Sequence, residues 1–227
     1  DRETDLTYWE EDPEAAVKAL NNCYTYLGNM DEQLYSEAMT DNAYTKQPND
    51  FTQNIGNGSY STADSYVKQV WDGRYTGIRM CNQLLENIDR VPDLDPELKK
   101  RYIGEAKVLR AYNYYELYTK FGDIPYTTKV LSIKESMSIA RTDRATVIAN
   151  MLADLDEVIN GNYLPTSYDA DNKGRITRWA AMAIKAKIYL FEGNWTQVKN
   201  ITSTIMTEGG FTLFGSYAGL FEIANEY

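Results

Sequence analysis

The chain has 227 residues, 43 % hydrophobic and 25 % charged, a globular balance with length for one domain or two small ones. A net charge of −10 and a pI near 4.6 leave no basic stripe for a nucleic-acid backbone, and no apolar run reaches the ~20 residues that cross a bilayer. Histidine is absent, which removes the commonest general base and the commonest metal ligand together.

Helix follows helix, with ends that can be named. Asp12-Pro13 reads as an N-cap and a first-turn proline; Ala16, Leu20, Tyr24 and Leu27 then share a face, and Gly28 closes the segment. A second helix is predicted from about Ala63 to Ile88. Val67, Trp71, Tyr75, Ile78, Asn82 and Leu85 recur at spacings of three and four there, so one stripe faces a core. Asp95-Pro96 starts a third helix, which Gly122 ends. Thr142 is expected to cap a fourth, with Val147, Met151, Leu155 and Val158 as its stripe and Gly161 as its stop. Thr177 caps a fifth that runs to Gly193, and a sixth spans Trp195 to about Met206 before Gly209-Gly210. Phe211–Phe214 is the best strand candidate and is too short to found a sheet.

In the last pair, Ala186, Tyr189, Gly193, Trp195 and Val198 fall at the small, aromatic, turn and knob positions of a tetratricopeptide unit. A small residue lets two helices approach, the tyrosine fills the space beside it, and glycine permits the tight turn. The fold class is therefore mostly α, as stacked antiparallel helical hairpins in a tetratricopeptide-like superhelix with long loops. Tyr102, Tyr112, Tyr114, Tyr115 and Tyr118 on the third helix, with Trp71, Trp179 and Trp195, are expected to pack between helices. Glu105 and Arg110 are expected in structural ion pairs. Cys23 and Cys81 are either two buried thiols or a disulfide; neither sits in metal-type spacing.

No phosphate loop, nucleophile elbow or metal cluster appears, so no catalytic residue, metal site or cofactor is assigned and the chain is read as a non-enzyme. Acidic pairs such as Asp154/Asp156 and Asp169/Asp171 arise readily among 33 acidic residues and are expected on solvated surfaces. A binding role has more support. The stretch from about Asn29 to Thr62 far exceeds the about 2–8 residues usual between helices, and it interleaves aromatics with amides, hydroxyls and carboxylates. A sugar presents an apolar ring face and an edge of hydroxyls, so its site needs flat rings beside planar polar groups. Asp41, Asn42, Tyr44, Phe51, Asn54 and Tyr60 supply both and are the expected ligand-binding residues; Gln47 and Asn57 stand among them. Two further long loops, about 123–141 and 162–176, carry Tyr126, Tyr163 and Tyr168.

Residues 102–125, YIGEAKVLRAYNYYELYTKFGDIP, carry a resemblance. Gly104-Glu105-Ala106, Leu109-Arg110-Ala111 and Phe121-Gly122-Asp123-x-Pro125 resemble the SusD/RagB-like outer-membrane nutrient-binding lipoproteins of Bacteroidota. Leu6-x-x-Trp9 with Asp12-Pro13-Glu14-Ala15, Trp71-x-x-x-Tyr75-x-x-Ile78-x-x-x-Asn82, Arg141-Thr142 and Gly174-Arg175-Ile176-Thr177 are similar to that family in the same order. The resemblance implies a surface-exposed outer-membrane lipoprotein. It would capture oligosaccharide, or less often peptide, and deliver it to a SusC-like TonB-dependent transporter. Anchoring would be through an N-terminal lipid, on a cysteine not present in this chain. Thr40-Asp41-Asn42 resembles the family's acidic motif, which makes Asp41 the best single carry-over. The whole of 1–227 is expected to be one SusD-like helical domain, the N-terminal half of a longer chain. Two other readings stay open on the residues alone: a tetratricopeptide-type adaptor that binds protein, and a structural helical domain without a ligand.

Overall fold

The structure is a computed structural model and describes residues 5–28, 30–47 and 50–225. All six expected helices are present: α2 (Ala15–Tyr24), α5 (Ser65–Asn87), α6 (Pro96–Phe121), α8 (Arg144–Asn160), α9 (Arg178–Phe191) and α10 (Trp195–Glu208). Four short helices lie between or before them: α1 (Asp5–Glu10), α3 (Met30–Ala38), α4 (Phe51–Gly56) and α7 (Ile133–Ser138). Among the described residues there is no strand. The one β contact is an isolated antiparallel bridge between Ile124 and Thr142.

Each helix packs on the next in the stack: α5 on α6, α6 on α8, α8 on α9 and α9 on α10, with α2 covering α5 and α6. Helix α6 buries residues on every side, among them Tyr102, Glu105, Leu109, Arg110, Asn113, Tyr114 and Leu117, as a central helix must. Asp95 caps it by accepting from the Leu98 amide at 2.8 Å, and Gly122 ends it at φ +69°, a left-handed turn that a β-carbon would strain. Thr177 caps α9 by accepting from the Ala180 amide.

Four local expectations change. Asp143, not Thr142, caps α8, accepting from the Thr146 amide at 2.9 Å. Thr142 is committed instead to the bridge, where its N–H and C=O pair with those of Ile124. Helix α2 begins at Ala15, and Asp12 accepts from the Glu14 amide one turn before it. Trp195 is 67 % exposed, because α10 closes the described stack and packs chiefly on α9 alone. Phe211–Phe214 is irregular and exposed.

The cysteines are free thiols, both buried, with the Cys23 thiol donating to the Ala19 carbonyl at 3.3 Å. Hydrogen bonding to Cys23 and burial hold the Cys81 thiol well above the ordinary range.

Two polar hubs tie the stack. Arg110 donates to Asn82 Oδ1 on α5 at 2.8 Å and to Asp154 Oδ2 on α8 at 2.5 Å, and Asn82 donates in turn to the carbonyls of Thr127 and Lys129. Glu105, with no exposed surface, accepts from Tyr24 on α2 at 2.5 Å and from Tyr168 at 3.3 Å, and pairs with Arg101 and Arg175 at 3.2 Å. Tyr24 also accepts from the Ile176 amide, so the 162–176 loop is fastened to α2 and α6 through a single carboxylate. Burial first, and then the Glu105 charge, push the Tyr24 and Tyr168 phenols upward.

Candidate ligand-binding site

The connection between α2 and α5 folds back as the small helices α3 and α4, which pack on each other. Asp50 caps α4, accepting from both the amide (2.8 Å) and the hydroxyl (2.6 Å) of Thr52. These bonds hold its carboxyl below the usual 3.8, the hydroxyl contributing more than the amide. Thr52 is fully buried, and its hydroxyl also meets that of Thr45 at 2.5 Å. Gln53 reaches back to the carbonyls of Thr45 and Gln47. A hydrophilic segment is thus held through its own hydroxyls and amides rather than through an apolar stripe.

Between this insert and the first half of α5 lies a cleft of ≈ 430 Å³. Its rings are Tyr35 from α3, Phe51 from α4 and Tyr66 from α5. Phe51 stacks on Tyr66 (centroids 4.5 Å, 20°) and meets Tyr35 edge-on (5.0 Å, 67°). Arg74 closes the far end. It donates to the Tyr26 carbonyl at 2.8 Å and to Glu32 Oε2 at 2.7 Å, and its guanidinium lies 5.8 Å from the centre of the Tyr112 ring. Gln69, Asp31, Glu116 and Lys120 add amide, carboxylate and ammonium groups to the wall. Burial, then the Glu32 charge, raise the Tyr66 phenol. The arrangement offers ring faces beside planar acceptors and donors, suited to a polyhydroxylated ring or an extended polar chain.

Of the six residues expected at a binding site, only Phe51 lines this cleft. Tyr44 (78 % exposed) and Tyr60 (49 % exposed) stand open on the insert. The Asp41 carboxylate is exposed and has no partner among the described residues. Asn42 is exposed and donates through its amide to Glu37 Oε2 at 3.0 Å. The Asn54 side chain faces the 57–59 turn, its Oδ1 accepting from the Ser59 hydroxyl at 3.5 Å, while its backbone carbonyl accepts from the Ser59 amide at 2.8 Å. Gln47 is exposed as well. Tyr35, Tyr66 and Arg74 went unassigned in the sequence. Tyr35 lies within the insert and Tyr66 and Arg74 follow it on α5, and no periodicity marks any of them as facing a cleft.

A family model described as starch-binding, associating with the outer membrane, and termed SusD-like, matches residues 14–190. SusD-like protein P25 of Formosa agariphila is 27 % identical over 97 % of this chain and 46 % of its own length. The crystal structure of a SusD-like protein from Bacteroides fragilis superposes with a TM-score of 0.84 at 25 % identity, over 98 % of this chain and 44 % of that one. Surface glycan-binding protein A from Bacteroides thetaiotaomicron, solved in complex with laminarihexaose, has the same fold. Its TM-score is 0.79 at 21 % identity, covering 94 % of this chain and 47 % of that one. The chain spans less than half the length of the curated relatives it matches.

Proposed function

Because this chain belongs to the SusD-like family, we propose that it is the part of a surface glycan-capture protein that presents the α3–α4 insert to an oligosaccharide without altering it. The observation that carries this reading is the ring cluster Tyr35, Phe51 and Tyr66 beside Arg74 and Glu32, with Tyr44 and Tyr60 standing open on the same insert. Asp41, whose carboxylate is exposed and has no partner among the described residues, would accept hydrogen bonds from sugar hydroxyls, and Asn42 and Asn54 would add amide partners. A glycan-bound protein of the same fold and the family's starch-binding description support the ligand class.

Residues 1–227 form one helical domain of a longer polypeptide in this reading. That polypeptide is a lipid-anchored protein exposed at the outer membrane, which hands its ligand to a SusC-like TonB-dependent transporter. No helix among the described residues is long and apolar enough to cross a membrane.

Calorimetric titration of the protein with a panel of soluble polysaccharides tests the reading. Tyr44→Ala, Phe51→Ala and Tyr60→Ala should each weaken the best ligand about three- to tenfold, the worth of one aromatic contact. Equal affinity in all three variants removes the insert from the site. A salt-sensitive preference for basic peptides over every glycan moves the reading to peptide capture by the same scaffold.

A further inference from the structure

Helix α5 serves two clefts. Residues 66, 69, 70, 73 and 74 face the insert, whereas Trp71, Tyr75, Ile78 and Asn82, one helical row away, wall a second cavity of ≈ 560 Å³ on the other side. The opposite wall is the segment after α6, with Pro125, Leu131 and Ile139. The volume falls within the ~300–1,000 Å³ typical of small-molecule sites. Apart from the cationic heads of Arg79 and Lys129, the polar side chains that line this cavity are already hydrogen-bonded. Tyr75 donates to the Pro125 carbonyl at 2.8 Å, and Asn82 spends its amide on Thr127, Lys129 and Arg110. Ser132 serves the cap of α7, and Ser136 donates to the Ile133 carbonyl. A sugar placed against Trp71, Tyr75 and Ile78 would leave most of its hydroxyls unpaired, whereas an apolar body has none to leave.

The rim is basic in a protein of net charge −10. Arg79 and Lys129 line the mouth, Lys134 follows lining residue Ile133, and the Arg141 guanidinium lies 5.7 Å from the centre of the Trp71 ring. None of the four has a carboxylate at ion-pair distance among the described residues. Arg74, Arg101, Lys107 and Arg110, on the same helices α5 and α6, each do. The carboxylates closest in sequence accept from backbone amides, Glu86 from Val130, Glu135 from Ser132 and Asp123 from Arg144, and keep their charge while standing outside ion-pair distance of these four cations. Arg79 and Arg141 spend one donor each on the carbonyls of Leu131 and Asp123, which leaves further N–H groups on each guanidinium for an acidic head.

We propose that this cavity binds a small amphiphilic anion: an apolar body that occupies the Trp71–Tyr75–Ile78 wall and an acidic head held at the Arg79–Lys129 rim. The proposal does not rest on the glycan reading, because the two clefts lie on different sides of α5.

Calorimetric titration with decanoate, and in parallel with decanol and decyltrimethylammonium, tests it. Decanoate should bind more tightly than decanol by about tenfold, the worth of a charge-assisted contact, and the cation should bind least. The double variant Arg79→Gln/Lys129→Gln should erase the advantage of decanoate over decanol and leave decanol unchanged. Leu131→Asp, in the irregular wall segment, should abolish both. Circular dichroism melts of each variant confirm that it folds. Equal affinity for decanoate and decanol in the parent protein overturns the proposal. So does decanoate binding that survives both variants, which would place it on the exposed apolar residues near Leu213 and Phe221 instead.

Discussion

Tyrosines serve α6 and the α3–α4 insert in opposite ways. Tyr102, Tyr114 and Tyr118 of α6 are buried, and Tyr114 uses its hydroxyl twice, donating to the Thr127 carbonyl and accepting from the Thr127 amide. Tyr35, Tyr44 and Tyr60 of the insert are exposed, although they sit among a similar mix of polar neighbours in the chain. The difference lies in what surrounds each segment. Helix α6 is enclosed by α2, α5, α8 and α9, so its rings bury large areas and its phenols are desolvated upward, as at Tyr114. The insert touches the stack on one side, through Phe51 on Tyr66 and through Arg74, and keeps its outer side in water. A tyrosine that packs and a tyrosine that presents itself are thus separated by enclosure, not by residue type.

Removing the carboxylate at the centre of the enclosed region should have the largest effect. Glu105→Ala leaves Arg101 and Arg175 partly buried without their partner and takes an acceptor from two phenols. It is expected to cost about 3–5 kcal/mol, the range for breaking a buried ion pair. The equivalent cut at the insert, Glu32→Ala, breaks a pair whose acid is 49 % exposed and should cost under about 1 kcal/mol. Urea denaturation of both variants compares them. Similar losses would show that the insert is as tightly built as the stack.

Two glycines on one helix give a sharper, smaller contrast. A β-carbon at Gly77 would come within 2.8 Å of Tyr26 Cβ and 2.9 Å of the Asn113 amide, whereas at Gly73, beside the insert cleft, nothing lies within 4 Å. Gly77 lets α5 settle against α2 and α6. Gly77→Ala should therefore destabilise by about 1–3 kcal/mol despite alanine's helix preference. Gly73→Ala should stabilise by up to about 1 kcal/mol. If thermal melts move in the same direction for both, the close approach at Gly77 is not what sets the spacing of the helices.

The stack was legible in the sequence because burial at a period of 3.6 leaves a printed stripe, and because Asp95, Thr177, Gly122 and Gly193 punctuate it. One stripe carried more than a core. Trp71 and Tyr75 fall in register with buried Ile78, yet they end half-buried on a cavity wall, where Trp71 meets Phe121 edge-on and Tyr75 donates to the Pro125 carbonyl. Thr142 has the composition of a cap but is drawn into a bridge by Ile124, a partner 18 positions away that local reading does not see. Within the insert, α3 and α4 carry no stripe long enough to register. They are fixed by tertiary contacts such as Thr45 to Thr52 and Arg74 to Glu32, so their length and polarity were readable and their shape was not. The same reason explains the site. Composition pointed to the insert, and only its folding brought Phe51 to Tyr66 and left Tyr44 outside the cleft.

The smallest expected effect tests whether the insert is organised by hydroxyls at all. Asp50 is bonded more favourably when charged, so its folded value lies below the usual 3.8. The stability it lends is therefore complete above the unfolded value and is lost as pH falls through the folded one. Protonation removes the charge that strengthens the bonds from both the amide and the hydroxyl of Thr52, the pair that starts α4. Limited proteolysis between 40 and 60 should accordingly speed up as the pH drops below about 4, before the helical stack loses its circular dichroism. Thr52→Val deletes the stronger of the two bonds and keeps the amide. The Asp50 midpoint, followed by carboxyl-carbon NMR, should then rise part of the way toward 3.8. A midpoint that does not move would mean that the amide alone holds Asp50, and that the hydroxyl contact between Thr45 and Thr52 is what fixes this end of the insert.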